Sequence, residues 1–118
     1  MIRVSLPFPV KVLWPNGRTR SVKWKAVETA KHKRWAWLQT PVATGFTAPI
    51  PVNLTVYPEA KGPFPDADNC VAACKAYLDG IALRLGINDR DFAAPTVAFG
   101  PREARIEITV GPRDGEPT

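Results

Sequence analysis

The chain has 118 residues, 45% of them apolar and 23% charged, which is enough for one globular domain with one hydrophobic core and excludes two. No apolar run approaches the roughly 18 residues that span a bilayer, and the N-terminus lacks the apolar core of a secretion signal, so we expect a cytoplasmic protein. The net charge is +5: residues 1–50 hold nine Lys and Arg against one acid, and the rest hold seven against ten. A basic half of this kind suits a polyanion such as nucleic acid, although it could also be a solvated surface that keeps the protein soluble.

The first half of the chain predicts a strand, a helix and a second strand. Residues 2–6 alternate apolar and polar side chains, as a strand with one buried face does, and so do residues 50–56. Between them, residues 21–38 are rich in Lys, Ala and Trp and predict a helix that Ser21 can cap. The Pro- and Gly-rich stretch over residues 7–20 predicts a loop.

The second half predicts another helix and the remaining strands. After a second proline-rich loop at 57–65, residues 69–85 predict a helix that ends at Gly86. Residues 104–110 alternate as a strand, and residues 96–99 predict a fourth strand that pairs with it across the turn at 100–101. The fold class is therefore α+β, a single small domain over residues 1–112 with a mixed sheet of about four strands and two main helices, followed by a flexible tail over 113–118.

Cysteine and histidine are too few for common catalytic or zinc sites. Cys70 and Cys74 lie one helical turn apart without a second Cys pair or a neighbouring His, so we expect two buried thiols in a reducing compartment. The single histidine, His32, lies in the Lys-rich helix, where a surface position is expected. EF-hand, P-loop and GxGxxG patterns are absent.

The stretch PFPDADNC places Asp66 and Asp68 at the start of the second helix. A structural interpretation is that Asp68 caps the helix while Asp66 benefits from the helix dipole. In that interpretation Lys75 and Asp79 are an ordinary i,i+4 pair, and Asp89 and Asp91 are turn formers.

A functional interpretation is that Asp66, Asp68 and an aspartate from positions 89–91 converge in one pocket. Three carboxylates repel each other unless a cation lies among them, and oxygen ligands favour Mg²⁺ or Mn²⁺. Such a cluster suits the hydrolysis of phosphodiesters.

The run DADNCVAACKAYLDGIALRLGIND resembles the signature of the RusA-type Holliday junction resolvases, or crossover junction endodeoxyribonucleases. The N-terminal SLPFP with its basic helix and the closing RIEITV are also similar to that family. The resemblance implies that Asp66, Asp68 and Asp89 hold the metal, with Asp91 as a rival for the third position, and that Lys75 joins them as a catalytic residue. The family's commoner form has its lysine four residues after the second aspartate, where this chain has Ala72.

The resemblance also implies a substrate and an assembly. We expect a Mg²⁺-dependent (or Mn²⁺-dependent) homodimer that nicks four-way DNA junctions symmetrically, in a bacterial or phage-infected cell and without membrane contact. The alternatives are a catalytically weak module that binds branched nucleic acid with the same fold, and a structural domain whose acids are only caps.

The basic segment predicts the DNA contacts. Because the loop and helix after Trp14 are nearly free of acids, we expect five side chains there to contact phosphates: Arg18, Arg20, Lys23, Lys25 and Lys31. The four tryptophans are expected in the core or an interface rather than stacked on bases: Trp14, Trp24, Trp35 and Trp37.

Overall fold

A computed structural model describes residues 1–15 and 22–112 of the chain. The described part has four strands and three α-helices, which confirms the predicted α+β fold with a mixed sheet. The elements are β1 (Ile2–Pro7), α1 (Val22–Gln39), β2 (Val52–Tyr57), α2 (Ala67–Ala73), α3 (Lys75–Leu85), β3 (Thr96–Phe99) and β4 (Arg105–Val110), with short 3₁₀ turns at Lys11–Leu13 and Asp89–Asp91. None of the helices in the described ranges combines the length and the apolar character that a membrane crossing requires.

The four strands lie in the order β1-β4-β2-β3. Strand β4 is antiparallel to both β1 and β2, so that Ile108 lies opposite Val4 on one side and Leu54 on the other. Strand β3 runs parallel to β2, with Val97 beside Leu54. The expected pairing of residues 96–99 with β4 is therefore wrong. The helices between β2 and β3 carry the chain back to the starting end of β2, and a strand that returns in this way pairs in parallel.

One face of the sheet is buried against the helices. The alternation read in the sequence is confirmed, because every second residue of β2 and β4 is buried while its neighbours are exposed or half-buried. The buried side chains form one core with Ala36 of α1 and with Tyr77 and Ile81 of α3. The opposite face of the sheet carries charged groups such as the pair of Arg3 and Glu107, whose Nε and Oε1 lie 3.4 Å apart.

The helix predicted over residues 69–85 is divided at Cys74. There the backbone has φ −92° and ψ 3°, so that α2 ends at Ala73 and α3 begins at Lys75. The hydrogen bonds from Cys74 N–H to Cys70 O and from Leu78 N–H to Cys74 O, each 3.0 Å, continue across this position. The break is therefore a local bend in a continuous helical path. The predicted end of the second helix at Gly86 is confirmed, with Gly86 in the left-handed region at φ 69°.

His32 is buried, so the expected surface position is wrong. The backbone N–H of Val10 donates to Nε2 at 3.4 Å, which leaves the proton on Nδ1 to donate to the carbonyl oxygen of Glu28 at 2.7 Å. The ring also packs beside Trp35 and Tyr77, with centroids 4.7 and 5.3 Å away. Burial lowers the pKa of His32, although the Glu28 carbonyl opposes the shift, so the ring joins α1 to the loop after β1 as a neutral group.

The crossing of α1 and α3 is fixed by a glycine. Gly80 lies against the backbone of α1, and a methyl group at this position would overlap the carbonyl oxygen of Lys33 and lie 3.1 Å from the Cβ of Ala36. A carbonyl inside a helix cannot move aside as the end of a flexible side chain can. The two helices therefore approach this closely only because residue 80 has no side chain.

We predict that Gly80→Ala destabilises the protein. The gain in helix propensity, about 1 kcal/mol, should be outweighed by the overlap with α1, since overpacking a core costs typically 1–3 kcal/mol and a backbone obstacle lies at the upper end. Urea unfolding followed by circular dichroism measures the difference. Leu83→Ala, at an exposed position of the same helix, is the control and should change the free energy of unfolding little. Equal stability of Gly80→Ala and wild type would show that the helices do not depend on this contact.

Candidate functional site

Asp66 and Asp68 lie at the beginning of α2. Asp66 occupies the N-cap position with extended backbone angles, but its side chain makes no capping hydrogen bond. Asp68 lies in the first turn, two residues beyond the position at which it would cap the helix. Neither carboxylate has a hydrogen-bond or ion-pair partner within the described part of the chain. The interpretation of Asp68 as the cap is therefore wrong, and both acids are exposed at the positive end of a short helix.

The two cysteines lie beneath these acids and are free buried thiols, as expected from the sequence. Burial, with a smaller effect from the charge of Asp66, raises the pKa of Cys70 to about 11. Burial also raises the pKa of Cys74 to about 12. Both side chains therefore stay protonated at neutral pH. Metal binding and nucleophilic attack need the thiolate, so neither cysteine is suited to these roles.

Lys75 is the first residue of α3 and forms ion pairs with two aspartates. Its Nζ lies 2.9 Å from Oδ1 of Asp79 and 2.6 Å from Oδ2 of Asp89. The hydrogen bonds to Asp89 and then Asp79 raise the pKa of Lys75, and the hydrogen bond from Lys75 lowers the pKa of Asp89. The predicted i,i+4 pair is confirmed, and the same ammonium ties the turn after α3 to the helix.

Asp91 has a structural role in that turn. Its Oδ2 accepts a hydrogen bond from the backbone N–H of Asn88 at 3.1 Å, and Oδ1 of Asn88 accepts one from the N–H of Arg90 at 3.1 Å. These reciprocal bonds close the 3₁₀ turn Asp89–Asp91. Asp91 is thus a turn former, while Asp89 is the acid that reaches Lys75.

The predicted three-carboxylate site is not assembled in this arrangement. Over residues 1–15 and 22–112, no group of three or more His, Cys, Asp or Glu side chains could hold a metal ion together. Asp89 is paired with Lys75, while Asp66 and Asp68 are separate from that ion pair. The two remaining carboxylates have the donor chemistry that suits Mg²⁺, which is commonly held by one or two carboxylates with waters and substrate phosphates.

A groove lies between α1 and the junction of α2 and α3. It has a volume of about 430 Å³, with Lys25 and Thr29 on one side and Ala72, Lys75 and Asp79 among its residues on the other. Asp68 lies on the same face of α2 as Ala72, because they are four residues apart in the helix. Asp68 therefore precedes the groove by one helical turn.

A shallower hollow of about 290 Å³ lies further along the same two helices. It is lined by Lys33 of α1, by Asp79 and Leu83 of α3, and by Asn88 and Asp89 of the following turn, among others. Because both hollows share Asp79, they follow one path along the α1–α3 contact. We call this path the α1–α3 groove; lysines lie along both of its sides.

The predicted phosphate contacts are distributed over two sides of α1. Arg18 and Arg20 lie outside the described residues. Lys25 lines the groove, whereas Lys23 and Lys31 lie about 120° and 160° around the helix from Thr29, which also lines it. Lys31 is also occupied locally, with Nζ 3.7 Å from Oε1 of Glu28 and 5.2 Å from the centroid of the Trp35 ring.

Lys33 also lines the groove, although the sequence did not predict it as a phosphate contact. The sequence signal for Lys33 is its spacing, because positions 25, 29 and 33 follow one another at intervals of four residues along α1.

The tryptophans were expected in the core or an interface. Trp14 is buried, and Trp35 and Trp37 are half-buried, which agrees with that expectation. Trp24 is 54% exposed and is not part of the core.

We predict that the low pKa of Asp89 depends on Lys75. In Lys75→Met the ammonium is lost, so the pKa of Asp89 should return toward its ordinary value of 3.8, as followed by the carboxyl ¹³C shift in a pH titration. Because the folded-state pKa is the depressed one, this ion pair contributes stability above the ordinary value and loses it as pH falls through the depressed value. Lys33→Met is the matched control. An unchanged Asp89 titration in Lys75→Met would contradict the ion pair.

No protein-family model matches the chain. Over 120 aligned residues the chain is 36% identical to an uncharacterized protein of Xylella fastidiosa (strain Temecula1 / ATCC 700964), and the alignment covers 93% of this chain and 76% of the relative. Identity at this level over most of both sequences shows common descent and a shared fold. The chain therefore belongs to the same family as the Xylella fastidiosa protein.

Proposed function

We propose that this protein is a divalent-metal-dependent endonuclease of branched DNA, the activity that its resemblance to the RusA-type resolvases implies. In this proposal a homodimer nicks four-way junctions in pairs. The observation that carries the proposal is the state of Asp66 and Asp68, two exposed carboxylates at the start of α2 that have no partner among the described residues. Two like charges so close together repel each other, and neither serves the helix by a capping bond.

A hard cation is the partner that best suits these two carboxylates. Mg²⁺ or Mn²⁺, when bound there, would activate a water molecule and stabilise the oxygen that leaves the phosphorus atom. The protein's contribution is to place Asp66 and Asp68 on a helix whose first turn is fixed by the hydrogen bond from Cys70 N–H to Asp66 O, 3.0 Å. The buried Cys70 beneath them holds this turn against the core.

The α1–α3 groove supports DNA binding next to these acids. Lys25, Lys33 and Lys75 lie along it and can neutralise phosphates of a strand that follows the two helices. The ammonium of Lys75 uses two of its three N–H groups on Asp79 and Asp89, so one remains for a phosphate oxygen. Its side chain is 60% exposed, which leaves that donor accessible.

A second function is favoured by the ion pair of Asp89. If this carboxylate stays with Lys75 when DNA is bound, the predicted third ligand is missing and the protein binds branched DNA without efficient cleavage. The two functions differ in one readout. An endonuclease produces paired nicks in a synthetic four-way junction only with Mg²⁺ or Mn²⁺, whereas the binding module shifts the junction in a gel and leaves it intact.

We predict that Asp68→Asn abolishes cleavage of a four-way junction and largely retains binding. We call the position formed by Asp66 and Asp68 the two-acid site. The change removes one negative charge from this site without altering its shape, while the lysines of the groove remain. Nicking is measured on a denaturing gel, and binding is measured by fluorescence anisotropy in Ca²⁺. Glu107→Gln, on the sheet face opposite the helices, is the control and should keep wild-type activity. Full activity of Asp68→Asn, or cleavage by wild type in EDTA, would overturn the metal-site proposal.

We also predict that lysines on the two sides of α1 contribute unequally to DNA binding. The pair Lys25→Ala and Lys33→Ala should weaken junction binding and reduce the slope of log affinity against log salt by nearly two, because each lysine releases about one counterion. The pair Lys23→Ala and Lys31→Ala removes the same charge from the other side of the helix. If the second pair lowers the salt slope as much as the first, the DNA does not follow the α1–α3 groove.

A further inference from the structure

Apart from the α1–α3 groove, another hollow lies between the segment after β1 and the loop before α2. Its volume is about 570 Å³, within the range of sites that hold small organic ligands. It is separate from the α1–α3 groove, because none of its lining residues lines that groove. One side is formed by Phe8, Pro9, Val10, Lys11 and Trp14, and the other by Pro58, Glu59, Lys61, Gly62, Pro63 and Pro65.

The rings of Phe8 and Trp14 give this hollow a flat aromatic side. Their centroids are 5.1 Å apart and their planes differ by 21°, so the two rings are stacked. The indole N–H of Trp14 already donates to the carbonyl oxygen of Pro9 at 3.0 Å. Trp14 is buried and Phe8 is half-buried, so the aromatic surface that the hollow offers is mainly the ring of Phe8, supported from behind by Trp14. This surface offers no hydrogen bond, and the surrounding prolines have no N–H to donate. Such a surface recognises a flat ring by stacking and discriminates little between different bases.

The loop side of the hollow is held in place before any ligand arrives. The guanidinium of Arg102 donates to the carbonyl oxygens of Glu59 at 2.7 Å and Gly62 at 2.8 Å, and it lies 4.8 Å from the centroid of the Phe64 ring. The backbone N–H of Ala104 donates to Pro58 O at 3.0 Å. A ligand would therefore not need to order this loop, which lowers the cost of binding.

The aromatic side is held equally well. The hydroxyl of Tyr77 donates to Pro7 O at 2.7 Å, and the ring of His32 accepts from Val10 N–H. The 3₁₀ turn that carries Lys11 is closed by a hydrogen bond from the backbone N–H of Trp14 to the carbonyl oxygen of Lys11, 3.1 Å. Both sides of the hollow are thus joined to the core of the domain.

The charges indicate an anionic ligand. Lys11 and Lys61 are exposed on opposite sides of the hollow, and Glu59 is the one acidic residue among the described residues that line it. A molecule that combines a flat ring with a negative group satisfies both the stacked aromatics and the two lysines. Pro65, at the edge of the hollow, directly precedes Asp66. A nucleotide placed here would continue along its strand toward the start of α2.

We propose that this hollow binds one unstacked nucleotide of single-stranded DNA, with its base against Phe8, which Trp14 supports from behind, and its phosphate between Lys11 and Lys61. This inference rests on the proposed function in taking DNA as the ligand, and it deepens it by adding a site for an unpaired base beside the two-acid site. Branched DNA supplies such bases where strands exchange. A blunt duplex keeps its bases stacked and does not supply them.

The test uses the whole protein and a fluorescein-labelled octathymidylate strand, with a blunt duplex as the second probe. Stacking of a base on an aromatic ring is worth roughly 1–3 kcal/mol, so Phe8→Leu should weaken octathymidylate binding at least about fivefold and change duplex binding less than about twofold. Its melting temperature is measured to confirm that it folds. In wild type, the octathymidylate should also shift the indole NMR signal of Trp14.

A second pair of variants removes charge without entering the core. Lys11→Ala with Lys61→Ala should lower the salt slope of octathymidylate binding by about 0.7, the contribution of the one phosphate that the two lysines contact on a single strand. Arg3→Ala with Arg90→Ala removes two positive charges elsewhere on the surface and should leave that slope unchanged. If the lysine pair behaves like the arginine pair, the phosphate position is wrong.

The outcomes for the hollow and for the proposed function are separate. Octathymidylate binding that is indifferent to both Phe8→Leu and the Lys11 and Lys61 pair overturns the nucleotide site, even if junction cleavage is observed. Binding of a proline-rich peptide that Phe8→Leu abolishes, in a protein that does not bind octathymidylate, overturns it in favour of a peptide site. Weakened octathymidylate binding in the hollow variants supports the site even when wild type does not cleave a junction, a result that removes the endonuclease proposal alone.

Discussion

The close contact between Gly80 and the carbonyl of Lys33 is the constraint on which the remaining structure depends. It sets the distance between α1 and α3, and these two helices cover the buried face of the sheet through Ala36, Tyr77 and Ile81. The same contact places Lys25 opposite the junction of α2 and α3 and Lys33 opposite the later part of α3. The groove that we assign to DNA is therefore a consequence of how the core is packed.

Electrostatics divides the acids of the candidate site into two groups. Lys75, at the start of α3, neutralises Asp79 and Asp89 and ties the turn at Asp89–Asp91 to the helix. Asp66 and Asp68 have no such partner in the described chain and lie where the helix dipole of α2 favours negative charge. Structural contacts account for the first group, and the second group is the one at which we propose that a metal ion binds.

The sequence predicted those features that a local pattern determines. Alternation identified the buried faces of β1, β2 and β4, and Gly86 marked the end of α3, because these depend on neighbours in the chain. The partner of β3 was missed because a run of only four residues does not specify which strand it joins. The bend at Cys74 was missed because neither Pro nor Gly marks it, and His32 was misplaced because its charged neighbours lie on the other faces of α1.

The site was predicted in part for the same reason. The exposed positions of Asp66 and Asp68 and the Lys75–Asp79 pair follow from helical spacing, whereas the ion pair of Lys75 with Asp89 joins residues fourteen positions apart. Paramagnetic broadening by Mn²⁺ in ¹⁵N NMR spectra, with a non-cleavable four-way junction bound, tests the two-acid site most directly. We expect broadening centred on residues 66–69 that disappears in the double variant Asp66→Asn with Asp68→Asn. Broadening centred on residues 89–91, or broadening that persists in the double variant, would contradict it.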